Sequence, residues 1–581
     1  MNAAAFRDVA GMALRNLGRH RVKTVITTAA VAISAALYIF MDGWILGMNL
    51  ESRRNIAAYE MGAAKIQTKA YFDKKDELPM YENFPGWETL ARDLAKAGFD
   101  SAPRFTFTGT LYSRAGTAPL VFNAVDPESE RRLLRYVPYV ESGRFPRDGA
   151  LELAVGSLAA EKLRVGIPDR PTRSEYEAEI LGAAATEEDR AFVRSLYGPP
   201  RTSKEPRKPF SVPDKAAPAF EEEKLALKEG VSGEERERLW RILAASGRMD
   251  VRISTVIDVK AAPDSIRKNK FEQELLPSLD AGAQALVRSA YEPDPATGDY
   301  YLASADDALT SRVLETMVAA DYPGAIRHIN QLIDAVVVGV VNSPNPKTNG
   351  SVGYIPLSAL QDEAGLMLGG AVTEILIRKA GADDAEIPGS AESPAAIRAA
   401  LDRVLAADGR TFPDNLDVRG WKDYSADYLA ASAGDEVSTR VMILFLFVLS
   451  FIGISNTMLM AILERTKETG MLRALGMTDG QVLLAYTLEA GLIGAIGSAI
   501  GILLGCLINI PMVAYGIDYS AAAREMGGDF GYRIVALFRS AWNPPVIAAT
   551  GVVATVLSAV AAIPPTLRAL RMPVTESLRF E

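Results

Sequence analysis

Four long apolar stretches stand out in the pattern of hydrophobic and polar positions along this chain of 581 residues. Residues 441–463 and 544–567 carry no charged side chain, and residues 24–50 and 481–517 carry a single acid each. At about 1.5 Å per residue, helices of this length reach roughly 35 Å, which exceeds the roughly 30 Å hydrocarbon core of a bilayer. The pattern predicts four transmembrane helices in a 1+3 arrangement, and we expect the second of them to begin at residue 437.

Basic residues flank the predicted spans unevenly. They concentrate in three segments, residues 1–23, 464–480 and 568–581, and basic flanks tend to stay on the cytoplasmic side of a membrane. We therefore expect both termini in the cytoplasm, with residues 51–436 and the loop 518–543 on the extracytoplasmic side of the cytoplasmic (inner) membrane. The first span is longer than the apolar region of a signal peptide, so we interpret it as an uncleaved signal-anchor helix.

The long segment between the first two spans shows two kinds of pattern. Residues 51–167 and 329–436 contain short β-type runs joined to short helices, which is typical of an α+β domain. Residues 168–325 are richer in charged helix formers and show capping-box starts at Thr186 and Ser232. We predict a helical insertion there, and the alternative is a flexible charged linker.

Composition and charge exclude several classes of function. The net charge of −9 argues against a nucleic-acid partner, which would favour a basic surface. The single cysteine, Cys506, falls inside the third predicted span, and the two histidines, His20 and His328, are far apart in sequence. This spacing fits neither a zinc site nor a Ser/His/Asp or Cys/His catalytic set. We therefore expect no metal site and no enzymatic activity in this chain.

A polar segment, ERTKETGMLRALGM (464–477), separates the second and third predicted spans. Charged residues at positions 464, 465, 467 and 468 suit a water-facing helix start at the membrane surface. Met471, Leu472 and Leu475 then supply a small apolar face, and Gly476 ends the helix. The pattern predicts a short helix that presses an apolar face into a partner, and the alternative is a solvated loop.

Small and acidic residues within the spans are also informative. Gly497, Gly501 and Gly505 are spaced by four, which places bare backbone on one face of the third span. We predict a helix-packing surface there, either within the chain or at a dimer seam. Glu489 and Asp42 are costly in lipid. Glu489 lies deeper in its span, so it is our candidate for a functional intramembrane acid.

Several stretches carry a resemblance to a known family. Outside the external domain they are MALRNLGRHRVKTVITTAAVAIS (12–34), ERTKETGMLRALGM (464–477) and AAIPPTLRALRMPVTESLRFE (561–581). They resemble the permease subunits of ABC transporters in the FtsX-like and MacB-type superfamily, most of all the lipoprotein-releasing (LolC/LolE-type) permeases. Residues 121–130 and 334–366 are similar to the two halves of the family's MacB-like periplasmic core, whereas the predicted insertion has no counterpart.

The resemblance implies a non-catalytic, mechanotransmitting permease whose polar segment is a coupling helix. This helix would dock in a groove of a separate cytoplasmic ABC ATPase dimer, and the permease would pair with a second copy or a related permease. The candidate coupling residues are Glu464, Arg465, Lys467, Glu468, Gly470, Met471, Leu472, Arg473, Ala474, Leu475 and Gly476.

The sequence contains no Walker A pattern, G-x-x-x-x-G-K-[ST], and residues 1–23 are too short for a nucleotide-binding domain. We therefore expect ATP and Mg²⁺ to bind the partner ATPase and no cofactor to bind this chain. The unfused arrangement favours lipoproteins as cargo, because MacB-type proteins fuse the ATPase and the permease. One alternative is efflux of amphipathic drugs or peptides with a separate ATPase and adaptor. The other is an ATP-driven signalling or division module that controls an external cell-wall hydrolase.

Overall fold

The computed structural model describes most of the chain, namely residues 11–15, 21–199, 223–303, 306–362, 370–381, 393–518 and 537–579. The chain separates into two compact units. The helical unit comprises Met1–Arg53, Ser425–Ala521 and Val535–Glu581, and the sheet unit comprises Arg54–Tyr424 and Ala522–Ile534.

The elements are numbered in chain order. The strands are β1 Ala64–Thr68, β2 Phe99–Tyr112, β3 Thr117–Val125, β4 Val140–Gly143, β5 Glu152–Gly156, β6 Tyr197–Gly198, β7 Ala226–Leu227, β8 Asp250–Lys260, β9 Ser265–Ile266, β10 Tyr291–Pro293, β11 Tyr300–Leu302, β12 Ile326–Val341, β13 Val352–Pro356, β14 Glu374–Lys379, β15 Leu416–Gly420, β16 Ile517–Asp518 and β17 Leu537–Phe538. The α-helices are α1 Arg21–Asn55, α2 Lys69–Asp73, α3 Trp87–Lys96, α4 Pro127–Leu133, α5 Ser157–Leu163, α6 Arg173–Glu175, α7 Leu181–Ala183, α8 Glu187–Leu196, α9 Gly233–Ala245, α10 Lys268–Lys270, α11 Ala281–Ala290, α12 Asp307–Ala319, α13 Pro346–Ser351, α14 Leu357–Asp362, α15 Pro394–Ala407, α16 Trp421–Tyr424, α17 Ala426–Glu464, α18 Thr466–Ala474, α19 Asp479–Ala514, α20 Pro544–Ala561, α21 Ile563–Leu570 and α22 Val574–Arg579. Short π- or 3₁₀-helical turns occupy Ile56–Met61, Val137–Tyr139, Tyr176–Ile180, Phe271–Leu275, Leu276–Ser278 and Pro323–Ala325.

The helical unit contains helices long and apolar enough to cross a membrane. Among the described residues three qualify by length and composition, over Thr24–Met61, Asp479–Ala514 and Pro544–Leu570. They correspond to the first, third and fourth predicted spans. Their apolar side chains are exposed along whole faces, for example Leu503 and Leu507 on α19. A soluble protein rarely exposes so much apolar surface, so these faces suit lipid.

The second predicted span, 437–463, lies on α17, where many side chains fall outside the described residues. The described apolar side chains there include Phe445, Leu449 and Ile452, all exposed. α17 already begins at Ala426, inside the segment that the sequence assigned to the external domain. The total of four spans therefore remains a prediction.

The sheet unit is built on one mixed sheet that closes on itself. Its strands follow the order β15-β1-β14-β2-β3-β13-β5-β12-β4, and β8 pairs with both β12 and β2. The strands β2, β3, β13, β5, β12 and β8 therefore form a closed six-stranded ring. Buried side chains from these strands, including Phe107, Phe122, Ile253, Ile333 and Ile355, belong to a single hydrophobic core. The prediction of an α+β architecture agrees with this fold.

The prediction that residues 168–325 form a helical insertion is wrong for β8. Asp250–Lys260 alternates exposed and buried residues over most of its length, which is the two-residue period of a strand with one face buried. It pairs with β12 over eleven positions, from Asp250↔Val336 to Lys260↔Ile326. The charged residues of β8 have the composition of a solvent-exposed helix, but at alternate positions they form the outer face of a strand.

The remainder of the insertion divides around β8. Residues 168–245 contain short helices, of which α9 contributes the buried Leu239 and Leu243 to the main core. Residues 266–325 have a small core of their own, built around Phe271, Val287 and Met317. This smaller core lies between the end of β8 and the start of β12, so the two paired strands carry it.

Candidate functional site

The polar segment between α17 and α19 folds as the short helix α18. At Arg465, φ −102° and ψ 11° interrupt the helical path between α17 and α18. The helix ends before Gly476, whose φ of +99° lies in the left-handed region that glycine adopts without strain. α19 then begins with a capping box between Thr478 and Gln481. These three local signals define a compact helix–turn–helix at this end of the unit.

One side of α18 is exposed and apolar. The exposed fraction is 50% for Met471 and 85% for Leu475, and Ala474 between them is also exposed. Positions spaced by three and four lie on the same helix face. Leu472 is partly buried and Gly470 is buried, so neither adds to the exposed surface. The exposed apolar face therefore consists of Met471, Ala474 and Leu475.

The charges at the start of the segment do not share one environment. Glu464 and Lys467 are exposed, and Glu468 is half-buried. Arg465 is buried, so the expectation of a water-facing charge is wrong at this position. The physical reason is that an acid on another helix compensates its charge.

That acid is Glu489 on α19. Nη1 of Arg465 donates to Oε2 of Glu489 at 3.2 Å and to Oε1 at 3.4 Å. The two side chains are only 5% and 8% exposed. A buried carboxylate is costly unless it is paired. The structure therefore brings together two residues that the sequence had singled out for separate reasons.

Arg473 also makes internal contacts. Its Nη1 donates to the backbone oxygen of Met572 at 2.9 Å, and its Nε lies 2.9 Å from Oδ1 of Asp479. Thr469 shares a 2.9 Å hydrogen bond with the Tyr486 hydroxyl. Arg473 thus fastens α18 to the C-terminal segment, and its guanidinium is mostly withdrawn from the surface on which a partner would dock.

The three glycines of α19 lie against α1. A Cβ added at each would come too close to α1 atoms, at 2.8 Å from Cβ of Val31 for Gly497, 2.5 Å from the backbone oxygen of Ala32 for Gly501, and 3.0 Å from that of Ala36 for Gly505. The face that the sequence offered as either an intrachain surface or a dimer seam is therefore occupied within this chain. Close approach of this kind needs residues without a side chain.

The other intramembrane acid, Asp42 on α1, is tied to the start of α20. Its Oδ2 accepts a hydrogen bond from Nδ2 of Asn543 at 2.9 Å. A contact of this kind lets an acid remain in an apolar helix without a functional role.

A buried polar cluster in the sheet unit was missed from the sequence. Arg104 on β2 and Glu130 on α4 form an ion pair that is 3% and 0% exposed. The Tyr136 hydroxyl donates to Glu130 at 2.7 Å, and Nη1 of Arg104 donates to the backbone oxygen of Glu60 at 2.8 Å. Burial by itself would lower the pKa of Arg104, but the Glu130 carboxylate outweighs it and keeps that pKa above its ordinary value. The cluster joins β2 to the turn that follows α1. No groups of three or more His, Cys, Asp or Glu that could hold a metal ion occur among the described residues.

Comparison with known proteins bears on the same region. Residues 440–574 match the family model described as FtsX-like permease C-terminal. An uncharacterized ABC transporter permease of Methanocaldococcus jannaschii is 41% identical over 70 residues, which are 12% of this chain and 18% of the relative. The ABC transporter permease YtrF of Bacillus subtilis is 35% identical over 91 residues, 14% of this chain and 19% of the relative. The macrolide export ATP-binding/permease protein MacB of Nitrosomonas europaea is 25% identical over 145 residues, 24% and 22% of the two chains.

These matches span about a fifth of each relative's own length. The matched family region runs from the middle of α17 to the start of α22 and so includes α18, the Arg465–Glu489 pair and the glycines of α19. The resemblance to FtsX-like and MacB-type ABC permeases that was inferred from the sequence is therefore confirmed. Over residues 440–574 the chain is similar to the C-terminal domain of FtsX-like permeases, and its relatives include ABC transporter permeases and a MacB protein.

Proposed function

We propose that this chain is the membrane subunit of an ATP-driven transporter and that α18 is its coupling helix. In this proposal Met471, Ala474 and Leu475 press into a groove of a separate cytoplasmic ABC ATPase. The observation that carries the proposal is the contrast between the two sides of α18. One side is held by an ion pair and hydrogen bonds, while the other leaves two large apolar side chains in solvent. An exposed apolar face on a short fixed helix suits docking in a partner's groove.

The remaining parts of the transporter follow from this role. Two ATPase subunits would bind ATP and Mg²⁺, and each would meet one permease, either a second copy of this chain or a related one. The chain would lie in the cytoplasmic membrane with both termini and α18 in the cytoplasm and the sheet unit outside. It would be non-catalytic and would pass ATP-driven movement to the sheet unit, since a ligand shifts a conformational equilibrium only by its differential affinity for the two states.

For cargo we favour lipoproteins taken from the outer leaflet of the cytoplasmic membrane. The support is the likeness of residues 12–34, 464–477 and 561–581 to lipoprotein-releasing permeases. The second candidate is export of amphipathic drugs or peptides. It is favoured by similarity to relatives named macrolide export proteins, although only 25% of residues are identical in one such match of 145 residues.

The docking step is tested by truncating the exposed face. We expect Leu475→Ala, and more strongly the double variant with Met471→Ala, to lower the amount of ATPase that co-purifies with the full-length chain. Leu567→Ala is the matched control, because Leu567 is also an exposed leucine, 45% exposed, but lies on α21. Thermal unfolding should be unchanged in all three variants, since no buried contact is lost. Equal ATPase recovery from the Leu475 and Leu567 variants would refute docking through this face.

The cargo is tested by depleting the chain in its own cells. Lipoproteins retained in the cytoplasmic membrane, with unchanged sensitivity to macrolides, would support lipoprotein release. Increased macrolide sensitivity with normal lipoprotein sorting would favour export instead.

A further inference from the structure

The pair formed by Arg465 and Glu489 stands at a mechanically special position. Arg465 occupies the only residue between the end of α17 at Glu464 and the start of α18 at Thr466. Its backbone departs from helical geometry there. Glu489 lies about 15 Å along α19 from Asp479, by helical rise. Arg465, at the break between α17 and α18, is thus held by Glu489, a residue well inside α19.

This location matters because a break between helices is a natural pivot. The main chain alone would let α18 rotate about Arg465 relative to α19, since a few residues at the end of an element can absorb a hinge motion. The ion pair opposes this rotation because both charges are buried and separating them would cost their mutual attraction. Separating them would remove the compensation that each buried charge receives from the other.

We propose that the Arg465–Glu489 ion pair is a force-transmitting joint that makes α18 and α19 move as one rigid body. The proposal rests on the proposed function, because it assumes that an ATPase moves α18. Arg465 and Glu489 are positioning residues that contact neither cargo nor nucleotide. The pair assigns α19 as a transmembrane helix that receives the movement directly, in addition to α17, to which α18 is joined through the break and through hydrogen bonds from the Thr466 hydroxyl to the backbone oxygens of Ile462 and Leu463.

Three other contacts of α18 differ from this pair in kind or in burial. The hydrogen bond between Thr469 and Tyr486 also reaches α19, but it joins two hydroxyl groups. Arg473 contacts Met572 in the C-terminal segment and also pairs with Asp479 at the start of α19, but the Asp479 side chain is 60% exposed. Charged partners are held more strongly than neutral ones when both are buried. Removing charge at the joint should therefore matter more than removing the hydroxyl of Thr469.

The experiment measures the distance between α18 and α19 in the membrane-embedded complex of the full-length chain with its co-purified ATPase. Spin labels are placed at Lys467→Cys on α18 and Ala499→Cys on α19, after Cys506 is replaced by alanine; Lys467 and Ala499 are both exposed. All joint variants are made in this labelled background. The distance distribution is recorded without nucleotide and with a non-hydrolysable ATP analogue.

With an intact joint we expect a narrow distribution that the ATP analogue does not change. In Glu489→Gln, which keeps the shape of the side chain but not its charge, the distribution should broaden and shift with nucleotide by about 2 Å or more, the scale of helix shifts in switching proteins. ATP hydrolysis should continue, because the pair contacts no nucleotide. The charge-swapped pair, Arg465→Glu with Glu489→Arg, and the conservative Arg465→Lys should both restore the narrow distribution. Thr469→Val should stay narrow as the matched control.

A narrow, nucleotide-insensitive distribution in Glu489→Gln would overturn the proposal, and so would equal broadening in Thr469→Val. Broadening in Arg465→Lys equal to that in Glu489→Gln would also overturn it, even if the swapped pair did not fold. If no ATPase binds the unsubstituted chain, the proposed function fails. The nucleotide-free widths then still decide the joint, because a wider distribution in Glu489→Gln supports it and an equal width refutes it.

Discussion

The contact between α19 and α1 yields a sharp test, because one methyl group should separate two tightly packed helices. A Cβ on Gly501 would lie 2.5 Å from the backbone oxygen of Ala32 and 2.7 Å from Cβ of Ala35. Ordinary van der Waals contact begins at 3.4 Å, so Gly501→Ala requires the helices to part by up to about 0.9 Å locally. Backbone atoms cannot turn aside as a flexible side chain can, so the whole of α1 must shift.

Overpacking of this kind typically costs about 1–3 kcal/mol. For a unit of about 200 residues, that corresponds to a fall of roughly 2–12 °C in the unfolding midpoint. Gly491→Ala provides the matched control on the same helix, because its nearest contact would be Cβ of Ala559 at an ordinary 3.5 Å. The gain in helix propensity from glycine to alanine is the same in both variants and cancels in the comparison.

The assay is thermal unfolding of the full-length chain in detergent, followed for both variants and the unsubstituted protein. We expect Gly501→Ala to unfold at a lower temperature and Gly491→Ala to unfold at or above the original midpoint. Equal midpoints for the two variants would refute the inference that the glycines allow α1 to approach. A higher midpoint for Gly501→Ala would refute the helix contact itself.

Two further predictions concern the sheet unit. Glu130→Gln should lower the free energy of unfolding by about 3–5 kcal/mol, because it leaves Arg104 charged and buried. Glu128→Gln is the control: it removes the exposed ion pair with Arg132 and should cost less than about 1 kcal/mol. Similar denaturant midpoints for both variants would contradict this. Burial tends to raise the pKa of Glu152, but hydrogen bonds from Arg144 and a backbone amide outweigh it and hold that pKa below its ordinary value. A carboxylate whose pKa is lowered in the folded state stabilises the protein above the unfolded-state pKa of about 4.3. This stabilisation is lost as the pH falls through the folded-state pKa. The stability gap between the unsubstituted chain and Glu152→Gln should therefore be largest at neutral pH and close in acid, and a gap that stays constant down to pH about 3 would contradict it.

The membrane helices were the most predictable part of this protein. Three of the four apolar stretches coincide with helices long and apolar enough to cross a bilayer. Span location depends on the summed hydropathy of about 20 consecutive residues, which is a local property. The end of α18 at Gly476 was equally accessible, because a left-handed glycine is a local backbone signal.

The strand β8 shows where local patterns misled. Its sequence, DVRISTVIDVK, alternates polar and apolar residues, yet it lies among charged helix formers, and their composition outweighed its period. Its partners on β12 and β2 are separated from it by many residues in opposite directions along the chain. A strand that closes a ring is defined by both neighbours, and neither is visible from the strand alone.

The candidate site divides in the same way. The exposed apolar pair on α18 could be inferred from helical spacing, and Glu489 attracted attention because an acid in an apolar helix is unusual. Its pairing with Arg465 could not be inferred, because the sequence equally allowed Arg465 to face water at the start of a polar segment. The contact between Arg473 and Met572 could not be inferred either, since the acceptor lies 99 residues away in sequence.

Residue order alone was therefore sufficient for features governed by neighbours along the chain, namely the apolar spans, the glycine spacing and the end of α18. The closed ring, the Arg465–Glu489 ion pair and the packing of the α19 glycines against α1 arose from which surfaces meet after folding. Burial makes the difference. A charged side chain or an exposed patch of backbone could pair with any of several partners until packing removes it from water. Only then does desolvation make a single pairing far more favourable than the others.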